Sequence, residues 1–418
     1  MNSKIKTEIG HYSVNNKIYA NKLDAILNAM PNKDDVKWHF FDEQLSKANW
    51  TVEPAQTLDE LYAYRAKQIR EKYDYIIVFC SGGADSTNVI KTFINNNIRV
   101  NEIMALAPKS GLKNWNFNKS NIDESNTISE TEFALFPLLK DISRSNPEIK
   151  ITVNDFFEDI IKYNDVDWTY QACGNIVTVL TSHFTNVNKF PHIRALLDAG
   201  KKIGLIYGTD KPIFRISDSG GLFIVLADSG INYLNMPEHR EHENLDRVLF
   251  YWTADLPEIM IKQGHVIKKM IELPFYQHFK NYFNDSDKVY TLESFENFLN
   301  EKHNKETVLN SFISKKILQT SLAYNNKSLY QRTIVPWIYP STYNPNLFQC
   351  QKVDANAGFF TSDQAWLHIL HKGSRISDMV TSGVKSLYNL IHPKYLNGNG
   401  TGFLTYIKSY KIGELDKG

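Results

Sequence analysis

A chain of 418 residues, 42% hydrophobic and 22% charged, has the composition of an ordinary globular protein and is long enough for two domains. A formal net charge of +1 argues against a global basic field for nucleic acid, and three scattered cysteines (Cys80, Cys173, Cys350) argue against a disulfide scaffold or a zinc ribbon. No apolar run reaches membrane-spanning length and the first residues lack a signal-peptide core, so a cytoplasmic protein with no membrane partner is expected.

Residues 1–73 read as a helical lead-in. Residues 23–27 form a short helix, and 38–41 a strand or an aromatic plug. Residues 58–73 carry Leu58, Leu61, Tyr62, Ala66 and Ile69 at helical spacing. From Tyr75 strands and helices alternate. Strands are expected at 75–80, 99–106, 149–153 and 202–207. Helices are expected at 86–93, 128–142, 156–161, 176–184 and 193–199, with Pro137 set to kink or split the second. This βαβ rhythm predicts an α/β domain over 74–245 with a parallel sheet, whose ligands sit at the carboxyl ends of strands beside a switch in strand order. An antiparallel pair, 214–217 with 222–226, turns at Ser219-Gly220-Gly221. Residues 246–418 are expected to be mostly helical and to serve substrate or homo-oligomer contacts.

The chemistry concentrates in Ser81-Gly82-Gly83-Ala84-Asp85-Ser86, between an apolar strand and a helix. That layout presents backbone N–H groups and a helix N-terminus to a phosphate. Gly82 and Gly83 permit positive φ and a close backbone approach. Ser81 and Ser86 offer hydroxyl donors. Asp85 repels phosphate directly, so its role there is to hold a Mg²⁺ that bridges phosphate oxygens. The competing reading is a Gly-Gly turn with an Asp near a helix start.

The run resembles the PP-loop of the N-type ATP pyrophosphatases, in the adenine nucleotide alpha hydrolase-like superfamily, and is nearest to asparagine-synthetase-type domains. The resemblance spans roughly residues 75–212, and only residues 81–86 are specific. It implies a doubly wound HUP-type core, ATP and Mg²⁺ as cofactors, and cleavage of ATP to AMP and pyrophosphate. Backbone groups of Phe79 and of the strand end at Ala105 to Ala107 would then shelve adenine and ribose. A second loop after a later strand is implied as well. Gly208-Thr209-Asp210-Lys211-Pro212 is its counterpart here, with Asp210 sharing Mg²⁺ with Asp85 and Lys211 meeting the pyrophosphate or the α-phosphate. An ordinary turn is the alternative.

Three other features compete for attention. Asp255, near Trp252 and Pro257, is a candidate substrate contact or a helix cap, and His265 on the following helix reads as structural. Glu238-His239-Arg240-Glu241-His242-Glu243 reads as a solvated loop rather than a metal site. The polar stretch 109–126, with Trp115 and Phe117, is a lid or substrate loop, or a plain tip. Cys80 reads as packing.

These readings lead to an ATP-dependent, C–N ligase-like synthetase. It would adenylate a small-molecule carboxylate or amide for attack by an amine. Asn2 follows Met1 and no glutaminase set is visible, so a glutaminase in cis is not expected. The alternatives are a PP-loop enzyme modifying a tRNA or DNA base, and a non-catalytic nucleotide-binding module.

Overall fold

The structure, a computed structural model, describes residues 10–107, 131–155, 190–208, 213–217, 219–228, 242–272, 335–342, 389–398 and 403–415. In chain order its elements begin with β1 (His11–Val14), β2 (Lys17–Tyr19), α1 (Lys22–Ala29), β3 (Lys37–His39), α2 (Asp42–Lys47) and α3 (Leu58–Lys72). Then follow β4 (Tyr75–Cys80), α4 (Ala84–Asn95), β5 (Glu102–Leu106), α5 (Phe136–Ser145), β6 (Lys150–Asn154), α6 (Pro191–Asp198) and β7 (Ile203–Tyr207). The last are β8 (Ile213–Ile216), β9 (Gly221–Ala227), β10 (Leu245–Leu249), α7 (Glu258–Glu272), α8 (Val335–Ile338) and β11 (Ile407–Glu414).

The fold is α/β, built on a five-stranded, all-parallel sheet ordered β10-β7-β4-β5-β6. Counted along the chain within this sheet, the order is 5-4-1-2-3. It reverses between β4 and β7, and a crevice opens at the carboxyl ends of strands at such a point. β4 is central, and Ile76, Ile77 and Val78 are fully buried, the near-continuous apolar run of a strand covered on both faces. α3 feeds directly into it. Its start is held by a capping box in which Thr57 and Glu60 satisfy each other's backbone N–H.

Two expectations are corrected and a third is extended. The lead-in is not only helical: β1, β2 and β3 form an antiparallel sheet ordered β2-β1-β3. Its hairpin turns on Asn15 and Asn16, both with positive φ (48° and 67°), the conformation of a two-residue turn matched to strand twist. The boundary at 245 falls on the first residue of β10, which pairs in parallel with β7 from Leu245↔Ile203 to Leu249↔Tyr207, so the sheet continues to 249. The C-terminal part also contributes a strand: β11 pairs antiparallel with β9 in a second sheet ordered β11-β9-β8. β8 and β9 form the expected antiparallel pair.

The expected helix over 128–142 is described from Thr131. A π-helical turn, Thr131–Leu135, passes into α5, and Pro137 sits in the first turn of α5, where the winding changes. The expected helices over 156–161 and 176–184 lie outside the described residues, as do those that the mostly helical reading of 246–418 places over 312–322 and, up to residue 388, over 366–391. The N-terminal sheet joins the β8–β9–β11 sheet through a buried ion pair. Lys22 and Asp228 are 2% and 0% exposed and 2.8 Å apart, and Asp228 also accepts from Tyr12 OH (2.8 Å) and from the Tyr406 N–H (3.1 Å).

Candidate functional site at the switch in strand order

β4 delivers residues 81–86 to the carboxyl edge of the sheet. Gly82 has φ +86°, and a Cβ there would lie 2.6 Å from the backbone nitrogen of Leu135, so only glycine fits. The loop closes on itself. Ser86 Oγ accepts the Ser81 N–H at 3.2 Å and donates to the Gly83 carbonyl at 3.3 Å, and Ser81 Oγ accepts the Gly83 N–H at 3.2 Å. α4 starts immediately after Gly83, with no side chain capping it. Its first N–H groups and the positive end of its dipole therefore face the loop. Ser86 is buried and Ser81 exposed, so the two serines differ in access.

The first residue of the second expected loop, Gly208, lies beside the first loop. Gly208 follows β7, and a Cβ on it would stand 3.0 Å from Ser86 N and 3.1 Å from the carbonyl carbon and oxygen of Asp85. Backbone thus lies against backbone across the switch point, between the ends of the two strands where the order reverses. Just below, Phe79 on β4 and Tyr207 on β7 stack with ring centroids 4.6 Å apart and planes at 13°. Ala105 is directly opposite Cys80 in the β4–β5 register, which brings the end of β5 to the same edge. Thr209, Asp210, Lys211 and Pro212 lie outside the described residues, as do the stretch 109–126, Cys173, Cys350 and residues 238–241.

Asp85, half-buried in the first turn of α4, is held from the far side by tyrosines that sequence reasoning did not connect with it. Its backbone carbonyl accepts Tyr251 OH at 2.9 Å, and its Oδ1 accepts Tyr339 OH at 2.5 Å. Tyr251 OH accepts from Asn88 Nδ2 at 2.8 Å, and Asn88 Oδ1 accepts from Thr342 Oγ1 at 2.5 Å. Tyr62 on α3 donates to the Ile338 carbonyl at 2.7 Å and accepts from Gln263 Nε2 at 2.9 Å. The rings of Tyr62, Tyr251 and Tyr339 pack at centroid distances of 5.5 to 6.2 Å. Burial, reinforced by the Asp85 carboxylate, pushes all three phenols above the ordinary tyrosine range.

Asp255 follows β10 on the same edge and pairs with Arg65 Nη1 at 3.2 Å, while Arg65 Nη2 reaches the Leu249 carbonyl at 3.3 Å. His265 is held by the carbonyl of Trp50 at 3.1 Å, and Cys80 is buried in β4. Among the described residues no group of three His, Cys, Asp or Glu side chains is placed to hold a metal ion, and no helix is long and apolar enough to cross a membrane. No family model, curated protein or solved structure matches the chain, and the site stands on its own geometry.

Proposed function

We propose that this chain is a synthetase of the PP-loop ATP pyrophosphatase type with a HUP-type core. It would split ATP into AMP and pyrophosphate, adenylating a small-molecule carboxylate or amide that an amine then attacks. The observation that carries the reading is the contact of Gly208 with the backbone of Asp85 and Ser86. It joins the Ser-Gly-Gly-Ala-Asp-Ser loop to the loop after β7 at the switch in strand order, where α/β sheets bind ligands.

The roles follow from that placement. The N–H groups at the start of α4, where the N-cap residue is Gly83, are proposed to face the β- and γ-phosphates. Ser81, exposed at the loop, adds a hydroxyl. Phe79, Ala105 and their strand ends flank the nucleoside side. The described residues fit a Mg²⁺ that arrives with ATP, since that ion is commonly bound by one or two carboxylates plus phosphate oxygens, and Asp85 supplies a carboxylate. Asp210 is the second carboxylate proposed. When bound, Mg²⁺ would neutralise charge on the phosphate oxygens. Lys211 follows Gly208 by three residues in the chain. Its ammonium is proposed to stabilise charge growing on the departing pyrophosphate.

The test is a product analysis. The protein, Mg²⁺ and a panel of carboxylate and amide acceptors are incubated with ATP labelled at the α-phosphate. AMP with pyrophosphate supports the reading; ADP with phosphate overturns it. Lys211→Ala is expected to lower kcat more than ATP affinity, because its charge matters most in the transition state.

A further inference from the structure

The carboxylate proposed to meet Mg²⁺ is gripped by a segment distant in the chain. Tyr339 stands 254 residues from Asp85, and its OH lies 2.5 Å from Asp85 Oδ1. The approach of Tyr339 is firmly built. Tyr62 holds the preceding carbonyl, that of Ile338, and Thr342 bonds Asn88 one turn along α4. Ser341 Oγ donates to Asp59 on α3. Ile338 and Tyr339 are buried at 0% and 1% exposure. A segment needs only its apolar side chains to dock; aiming a phenol at the one carboxylate of the nucleotide loop is a further, separate expense of buried polar groups.

We infer that Tyr339 is a positioning residue for Asp85. Its hydroxyl fixes the rotation of the carboxylate so that the cation accompanying ATP meets a pre-aimed ligand. This rests on the ATP–Mg²⁺ reading of the site. A carboxylate offers about four lone-pair positions, so a phenol donor on Oδ1 and a cation can share it. Partners that orient a metal ligand commonly govern affinity by 10- to 100-fold when removed. The arrangement also makes Tyr339, alone of its segment, part of the nucleotide site.

The test is calorimetric binding of ATP, with Mg²⁺ and with EDTA, by the wild-type chain, Tyr339→Phe and Thr342→Val. Tyr339→Phe keeps the ring and removes the donor. It is expected to weaken ATP binding about tenfold or more in Mg²⁺ and to leave binding in EDTA unchanged. Thr342→Val cuts a bond of the same segment to the same helix without touching Asp85. It is expected to lower the unfolding midpoint while keeping the wild-type ratio of Mg²⁺ to EDTA affinity. Equal ratios in wild type and Tyr339→Phe overturn this inference alone and leave Tyr339 a structural pin. A wild-type chain that binds no ATP under either condition overturns the functional reading, and this inference with it.

Discussion

Gly208→Ala tests the juxtaposition on which the site depends. The added methyl would sit 3.0 Å from Ser86 N and 3.1 Å from the carbonyl atoms of Asp85, where ordinary contact begins at 3.4 Å. All three neighbours are backbone, so no side chain can swing away. β7 is locked between β4 and β10, with Tyr207 in register with Leu249, and α4 is packed on β4. Relief therefore requires the end of β7 and the start of α4 to part by a few tenths of an ångström. Overpacking of this kind costs about 1–3 kcal/mol, which a domain of ordinary stability survives. The same parting displaces the N–H groups proposed to hold phosphate, and a loss of about 1.4 kcal/mol there is a tenfold rise in Kd for ATP. Urea unfolding and ATP titration read the two effects. Gly200→Ala is the control, because Gly200 has φ +73° and nothing within 4 Å of its would-be Cβ. It should show the strain of a left-handed residue, about 1–2 kcal/mol, with ATP binding intact. A Gly208→Ala chain with wild-type stability and wild-type ATP affinity would refute the contact between the two loops.

Gly82→Ala combines left-handed strain with a 2.6 Å approach to the Leu135 backbone, so it should lower the unfolding midpoint more than either glycine variant above, measured in the same urea series. Asp228→Ala leaves the Lys22 ammonium buried without its carboxylate, and should destabilise by about 3–5 kcal/mol, of which the double variant Lys22→Met/Asp228→Leu restores only part, because Tyr12 OH and the Tyr406 N–H still lose this acceptor. His265 has its pKa lowered by burial, an effect the Trp50 carbonyl and Glu53 oppose and Lys268 and Lys269 assist. With the folded value below the unfolded one, its contribution to stability is full above about pH 6.5 and is lost as pH falls below that. Unfolding free energy measured from pH 7.5 to 5 should therefore decline less steeply in His265→Gln; an unchanged slope would remove His265 from the account. Asp85→Asn should abolish Mg²⁺-dependent ATP turnover while keeping the far-UV circular dichroism of the wild type.

What was legible in the sequence had a local cause. β4 announced itself by six consecutive apolar residues, and α4 by the glycines that precede it. β8 and β9 were legible through the turn at Ser219-Gly220-Gly221. β10 was not, because Asp246 and Arg247 interrupt its apolar pattern; the structure accommodates Asp246 by pairing it with Tyr73 OH at 3.0 Å. β11 was hidden by Lys408, which shares the inward face with Tyr410 and Ile412 and breaks the apolar alternation of an edge strand of the second sheet. The Asn15-Asn16 turn did carry a hairpin signal that the helical reading of the lead-in passed over. Residues 81–86 and Gly208 were legible as strand ends of one parallel sheet, and their proximity followed from the strand order. The tyrosines around Asp85 could not be found this way. Tyr251 and Tyr339 lie 166 and 254 residues from it, and such pairings leave no periodicity in a single chain.

The central claim is that residues 81–86 and Gly208 together bind the phosphates of ATP. A crystal structure of the protein grown with ATP and Mg²⁺ tests it most directly. The account predicts the β- and γ-phosphates against the N–H groups at the start of α4, with the cation at Asp85 and the α-phosphate toward Gly208. Nucleotide bound at any other place, or a loop at 81–86 left facing solvent in crystals that hold ATP elsewhere, would contradict it.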